Sequence, residues 1–298
     1  MSFSSDLKSE LSKIEILSPC CKHAQVYGLV LFAHFSKYNL SITTENPDVF
    51  EMYLQSIRAC GVTPVVNESG NKKLTAYVRT EAEKARVFEQ FGHALSEPTL
   101  RLNRANLADE CCTSAFLRGV FLSCGTVTDP ERGYHLEFVV PYKKLSTDLM
   151  KLLNELELSP KSIVRKGNHI VYFKDSESIE DLLTFIGASD ASLIVMNVKI
   201  EKDVKNKINR LINFEMSNLN KTLDASKEQI AAIEFIRAHG GIGLLPEPLQ
   251  ELAILRLENS DASLSTLQSL LSEPISRSGI NHRLARIVDF ADHLQHQL

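Results

Sequence analysis

Cys20-Cys21-Lys22-His23-Ala24-Gln25-Val26-Tyr27-Gly28-Leu29-Val30-Leu31 returns in altered form 91 residues later as Cys111-Cys112-Thr113-Ser114-Ala115-Phe116-Leu117-Arg118-Gly119-Val120-Phe121-Leu122. Each copy sets a cysteine pair, an alanine three residues on, a glycine four further, and then an apolar continuation. A repeat of this length is a whole folding unit, too long for a solenoid module. Two like halves in one chain therefore decide the architecture.

The elements around each copy follow one order. In the first, Ala24 to Phe35 reads as an apolar helix, Leu40 to Thr44 as a short alternating strand, and Asp48 to Cys60 as a helix preceded by Pro47 and ended by Gly61. Strands follow at Pro64 to Glu68 and Lys72 to Arg79, joined by a turn at Glu68-Ser69-Gly70-Asn71, and a helix from Thr80 to Phe91 stops at Gly92. The second copy repeats this with a helix at Ala115 to Leu122, a strand at His135 to Val140 and a helix at Leu145 to Leu156. A hairpin at Lys166-Gly167-Asn168 and a helix from Ser178 to Ile186, ended by Gly187, complete it. The most apolar helices are expected to pack on each other, because Ala24/Gly28 and Ala115/Gly119 put small residues on one face of each.

A chain of 298 residues suggests about two domains. Its net charge of −4 excludes a polycation, so any nucleic-acid surface must be local. No apolar signal core begins the chain and no window approaches a membrane span, which predicts a cytoplasmic protein. The six cysteines read as reduced thiols. Neighbouring cysteines on a helix point about 100° apart, which disfavours one metal held by both, so no metal and no cofactor are expected.

The order of elements resembles the LAGLIDADG homing endonucleases. Leu117-Arg118-Gly119-Val120-Phe121-Leu122-Ser123-Cys124-Gly125 matches the motif at its leucine and both glycines, and Val26 to His34 matches more weakly through Gly28 and Leu29. Further stretches resemble the WhiA family of bacterial regulators across essentially the whole chain. They are Ser2-Phe3-Ser4-Ser5-Asp6, the cysteine pairs, Gly133-Tyr134-His135-Leu136-Glu137-Phe138, Asn218-Leu219-Asn220-Lys221-Thr222 and Ser278-Gly279-Ile280-Asn281-His282-Arg283-Leu284. That resemblance implies an endonuclease-like body joined to a helix-turn-helix, with roles in transcription, cell division, chromosome segregation and, where it occurs, sporulation.

In the endonucleases the penultimate motif position is an acidic residue that holds a divalent cation. Here the matching residues are Ala33 and Cys124. An alanine has no ligand atom and a thiol is a soft ligand poorly suited to magnesium. Asp109, Glu110, Asp129 and Glu131 lie near in sequence and read as cap and loop carboxylates. Gly240-Gly241-Ile242-Gly243 lacks a preceding strand and a lysine and reads as a hinge. No other enzyme motif is present, so the expectation is no enzyme and no catalytic residue.

In the C-terminal third, Lys199 to Arg210 is a basic amphipathic stretch whose Val204, Ile208, Leu211 and Ile212 keep helical spacing. Its Lys202, Lys205, Lys207 and Arg210 are candidates for auxiliary DNA contact. Asn218 to Thr222 is polar, and Ile230, Ile233 and Ile236 continue a helix to Gly240. Three short helices follow at Leu249 to Leu257, Leu264 to Leu271 and Gly279 to about Leu294, with Ser263 as a cap and a turn at Glu273-Pro274-Ile275-Ser276. Residues 245 to 287 also resemble the promoter-reading end of sigma factors, notably at Ile275-Ser276-Arg277-Ser278.

On the final helix Ile280, Leu284, Ile287 and Val288 cluster on one side. Within the helix-turn-helix, about Ser263 to His296, the candidate DNA-binding residues are Ser276, Arg277, Ser278, Asn281, His282, Arg283 and Arg286. Ser278, Asn281 and His282, with Arg286, are placed to meet base edges, whereas Arg277 and Arg283 suit phosphates.

The reading is an α+β chain with two pseudo-symmetric LAGLIDADG-like αββαββα repeats followed by an all-α helix-turn-helix domain. The N-terminal helix and first repeat take residues 1–98, the second repeat 99–190, a helical connector 191–244 and the helix-turn-helix 245–298. The expected partner is double-stranded DNA, with room for a second regulatory protein and no membrane, for a nucleoid-associated monomer. Two rivals remain at this point: a nucleoid-organising or partner-binding protein, and a surviving magnesium-dependent endonuclease.

Overall fold

The computed structural model describes residues 2–35, 40–69, 73–97 and 99–297. These form two compact units, which divide between Lys202 and Asp203. The first unit begins with α1 (Phe3–Ser12), capped by the Ser2 side chain, which accepts from the Ser5 N–H.

The first repeat comprises α2 (Pro19–Leu31), β1 (His34–Phe35), β2 (Leu40–Thr44), α3 (Pro47–Ala59), β3 (Val65–Ser69), β4 (Lys73–Val78) and α4 (Glu81–Glu89). The second comprises α5 (Glu110–Cys124), β5 (Gly125–Val127), β6 (Leu136–Val140), α6 (Lys143–Glu155), β7 (Lys161–Arg165), β8 (Asn168–Phe173) and α7 (Ser176–Phe185). Both follow the αββαββα plan. Their antiparallel sheets have matching orders, β1-β2-β4-β3 and β5-β6-β8-β7, so the duplication is preserved strand by strand.

Local chemistry accounts for the element ends. Thr80 and Glu83 form a reciprocal capping box at α4. Lys166 and Gly167, at φ of 50° and 82°, make the tight turn that sets the β7–β8 register. The corresponding turn expected at Glu68-Ser69-Gly70-Asn71 reaches beyond the described residues. The helix expected over Ala24 to Phe35 ends at Leu31, because His34 and Phe35 pair with Ser41 and Leu40 instead. It also begins earlier, at Pro19, where a proline loses no helical hydrogen bond.

That earlier start puts Cys20 and Cys21 in the first turn of α2, and Cys111 and Cys112 hold the matching place in α5. The expected divergence of each pair does not keep the four apart. Their sulfurs all lie within 4.8 Å of one another, because the two helix N-termini meet side by side.

α2 and α5 approach so closely that a Cβ on Gly28 would sit 2.2 Å from the Phe116 carbonyl oxygen. One on Gly119 would sit 2.1 Å from the Gln25 carbonyl oxygen. Around this contact Tyr27, Leu29, Phe116, Val120 and Phe121 are all fully buried in a core that both repeats share. The α5 side chains also tie down α7: Ser114 Oγ donates to Phe185 O at 2.5 Å and Arg118 Nε to Ile186 O at 2.7 Å. Glu10 of α1 accepts from the Asp190 and Ala191 N–H groups at 2.9 and 3.2 Å, capping the next helix.

That helix, α8, runs from Ser189 to Ala238 without interruption, through the polar stretch at Asn218 to Thr222, and its C-terminal part belongs to the second unit. It ends at Gly240 and Gly241, both at positive φ. The second unit then contains α9 (Glu247–Glu258), α10 (Leu264–Leu270) and α11 (Arg277–Gln295). Its own core joins Ile233 and Ile236 of α8 to Leu249, Leu252, Leu267, Ile280, Leu284 and Ile287.

Gly28→Ala or Gly119→Ala is expected to force the two helices apart and cost on the order of 3 kcal/mol or more. Chemical denaturation checks this; a loss of only a few tenths would contradict the close packing. A second expectation concerns Asp148, whose carboxylate accepts from Arg101 at 2.6 and 2.7 Å and from Leu102 N at 3.1 Å. Burial alone would raise its pKa, but Arg101 and the Leu102 N–H hold it below the usual value. A folded pKa below the unfolded one contributes stability that is present above about pH 4 and lost as the pH falls through the folded value. Asp148→Asn is therefore expected to be less stable than the parent at neutral pH, with the gap shrinking in acid. Melting curves measured across pH test the convergence, and a constant gap would refute it.

Candidate nucleic-acid interface

The parallel ends of α2 and α5 place the two motif positions together. Ala33 and Cys124 line one open depression with His34, Ser41, Thr43, Ser123 and Asn168. None of its described lining residues carries a carboxylate. Burial pushes the Cys124 thiol up to about 12, with the Lys8 cation opposing it only in part. Lys8 Nζ donates to the Leu122 carbonyl at 3.3 Å, close beside Cys124.

The four carboxylates nearest in sequence do not fill this gap. Asp109 precedes α5 as its N-cap and Glu110 opens it, so both are at the other end of a helix of 15 residues, roughly 22 Å long. Asp129 accepts from the Glu131 N–H at 3.0 Å in the loop beyond β5, a local turn contact. None of the four lines the depression.

In the second unit, α9, α10 and α11 form the helix-turn-helix. Ser263 caps α10 by accepting from Thr266 N at 3.1 Å, as expected. Glu251 then clamps the following turn, accepting from Ser272 N at 2.8 Å and from Ser272 Oγ at 2.9 Å. Gln268 Nε2 donates to Ile275 O at 2.7 Å. These bonds fix the direction in which α11 leaves the turn.

α11 buries Ile280, Leu284, Ile287 and Ala291, spaced three or four residues apart, against the core. Arg277, Ser278, Asn281, His282 and Arg286 are exposed on the remaining surface. Ser276 is also exposed but serves as the N-cap, accepting from Gly279 N at 3.1 Å. Arg283 is half-buried and donates to Pro248 O at 3.2 Å, so part of its donor capacity is spent inside the unit. Residues 276 to 288 hold three arginines and no acid, at a helix N-terminus whose free N–H groups favour anions.

The basic stretch of α8 divides by role. Lys202 Nζ donates to Pro130 O at 2.5 Å and sits 4.8 Å from the centre of the Tyr134 ring, so it anchors α8 to the first unit. Lys207 and Arg210 are exposed, as is Lys205. The apolar stripe expected of Val204, Ile208, Leu211 and Ile212 is exposed too, at 50%, 51%, 57% and 50% of its surface, as is Phe214 nearby at 65%.

Sequence reasoning missed Glu251 and Arg256. Arg256 is buried and donates to the Ala262 carbonyl at 2.7 Å, closing the α9–α10 loop. Both are polar side chains on helices, and periodicity carries no sign of a tertiary partner.

Among the described residues no helix is long and apolar enough to cross a membrane. A family model described as the WhiA LAGLIDADG-like domain matches residues 113–205, and one described as the WhiA C-terminal HTH domain matches residues 208–291. A protein of Alkaliphilus metalliredigens named "Probable cell division protein WhiA" is 36% identical, over 98% of each chain. One of the same name from Alkaliphilus oremlandii is also 36% identical, over 99% of this chain and 98% of that one. A crystal structure of full-length DUF199/WhiA from Thermatoga maritima shares the fold, with a TM-score of 0.58 and 24% identity over 98% of this chain and 99% of that one. A LAGLIDADG-like body built on two fused repeats, followed by a helix-turn-helix and matched along almost its full length, makes this chain a member of the WhiA family.

Proposed function

We propose that this chain is a sequence-specific binder of double-stranded DNA that regulates transcription in the service of cell division and chromosome segregation, and of sporulation where the organism sporulates. The observation that carries this reading is the exposed, acid-free N-terminal half of α11, held outward by a buried row of Ile280, Leu284 and Ile287. Such a helix suits the major groove. Ser278, Asn281, His282 and Arg286 read bases; Arg277 contacts phosphate, as does whatever donor capacity Arg283 keeps beyond Pro248. Ser276 contributes through its cap, which fixes the first turn.

The protein acts as a monomer in the cytoplasm, associated with the nucleoid. Residues 245–298 form its reading head, and residues 1–98 and 99–190, the two repeats, its body. Lys205, Lys207 and Arg210 add phosphate contact along α8, with Lys202 setting where that helix starts its path. The body is a scaffold without nuclease activity, a reading supported by the carboxylate-free depression at Ala33 and Cys124. The exposed Ile208, Leu211 and Phe214 support a further role in binding a second regulatory protein.

Genome-wide mapping of bound sites, followed by titration of a recovered site, tests the reading. Arg277→Ala is expected to weaken binding about equally on all sequences and to lower the salt slope by about 1. Asn281→Ala or His282→Ala should relax preference at individual positions, by about 1–3 kcal/mol each. Unchanged affinity and salt dependence in all three would refute the assignment of α11. Incubation of the recovered site with magnesium should leave it uncut. Site-specific cuts that disappear in Asp129→Asn or Glu131→Gln would overturn the non-catalytic reading.

A further inference from the structure

Four cysteines, Cys20, Cys21, Cys111 and Cys112, meet at the N-terminal end of the α2–α5 pair. Their sulfurs lie within 4.8 Å of one another, two from each repeat across the pseudo-twofold axis. We propose that Cys20, Cys21, Cys111 and Cys112 hold a structural zinc ion in a tetrahedral four-sulfur site that staples the two repeats together.

The geometry is close to what the ion requires. Zinc–sulfur bonds near 2.3 Å give sulfur–sulfur edges of about 3.8 Å in a tetrahedron, so the sulfurs need to close by about 1 Å at most. Two cysteines adjacent on one helix diverge, but two such pairs facing each other across an axis supply four converging vertices. Cys21 and Cys112 are buried and form the inner wall, while Cys20 and Cys111 are exposed and leave a path for the ion.

The surroundings favour the charge of such a centre. Four thiolates around a divalent cation carry two net negative charges. Each cysteine pair sits in the first turn of its helix, where the backbone dipoles favour anions. Arg118 provides a second, independent sign: it is buried, and its hydrogen-bond partners are the Ile186 carbonyl and the Gln25 side-chain oxygen, with no carboxylate. Desolvation disfavours the Arg118 cation, and the acidic group that faces it is Cys21, which becomes a charge only as a thiolate. An uncompensated buried cation is costly, and an anionic four-sulfur centre supplies its counter-charge.

On binding, the four thiols release four protons to solvent and four sulfur–zinc bonds form, with no change of oxidation state. Softness and tetrahedral geometry select zinc over magnesium or calcium.

The full chain, purified under reducing conditions without added metal, is the sample. Elemental analysis is expected to find about one zinc per chain, X-ray absorption to find four sulfur neighbours, and cobalt substitution to give sulfur-to-metal charge-transfer bands. Cys20→Ser with Cys111→Ser removes only the two exposed ligands and should abolish stoichiometric zinc. Cys60→Ser with Cys124→Ser should retain it. If the first variant does not fold, zinc release from the wild-type chain on titration with a mercurial, monitored with a chromogenic chelator, gives the same answer. A wild-type chain that takes up no zinc when it is supplied in reductant overturns the proposal. So do zinc retained at parental level in the double variant, and four cysteines recovered as two disulfides without metal.

Discussion

Everything in the first unit depends on one contact, the backbone-to-backbone approach of α2 and α5 at Gly28 and Gly119. A methyl group at either glycine would lie within 2.2 Å of a carbonyl oxygen on the other helix. Packing at this distance leaves no freedom to slide, because each glycine occupies the groove between two residues of the partner. The helix axes and their ends are thereby fixed together. The two sheets inherit their symmetry from the pair, since β1 and β5 start where α2 and α5 stop.

The ends of this helix pair have opposite chemistry. At the C-terminal end, Ala33 and Cys124 meet with no carboxylate in the depression they line, and Lys8 brings a positive charge beside Cys124. Hard divalent cations need clustered oxygen ligands, and the described lining of this depression offers no carboxylate. At the N-terminal end, two helix dipoles and four sulfurs meet instead.

The second unit solves a different problem with simpler means. Its α11 is seated by four apolar side chains on one stripe, and its first turn is organised by the Ser276 cap. Glu251 and Gln268 lock the preceding turn from inside the unit. The outward residues are therefore carried on a helix that other side chains of the unit hold in place. Arg283 differs from them, since it is half-buried and bonds to Pro248 within the unit.

The sequence by itself determined the duplication, the αββαββα order, the absent acids at Ala33 and Cys124, and the split of α11 into buried and outward faces. All of these follow from spacing along one chain, through helical and strand periods and residue identity. Only the tertiary structure decided the convergence of Cys20, Cys21, Cys111 and Cys112, the anchoring of Lys202 on Pro130 and Tyr134, and the bond of Arg283 to Pro248. It also decided where α2 begins and ends, because the pairing of β1 with β2 overrides the apolar run through Phe35. Each of these depends on a distance between segments far apart in sequence, and periodicity within a segment holds no information about that distance. A pair of cysteines on one helix diverges when read alone; the second helix, brought close by two glycines, turns divergence into a site.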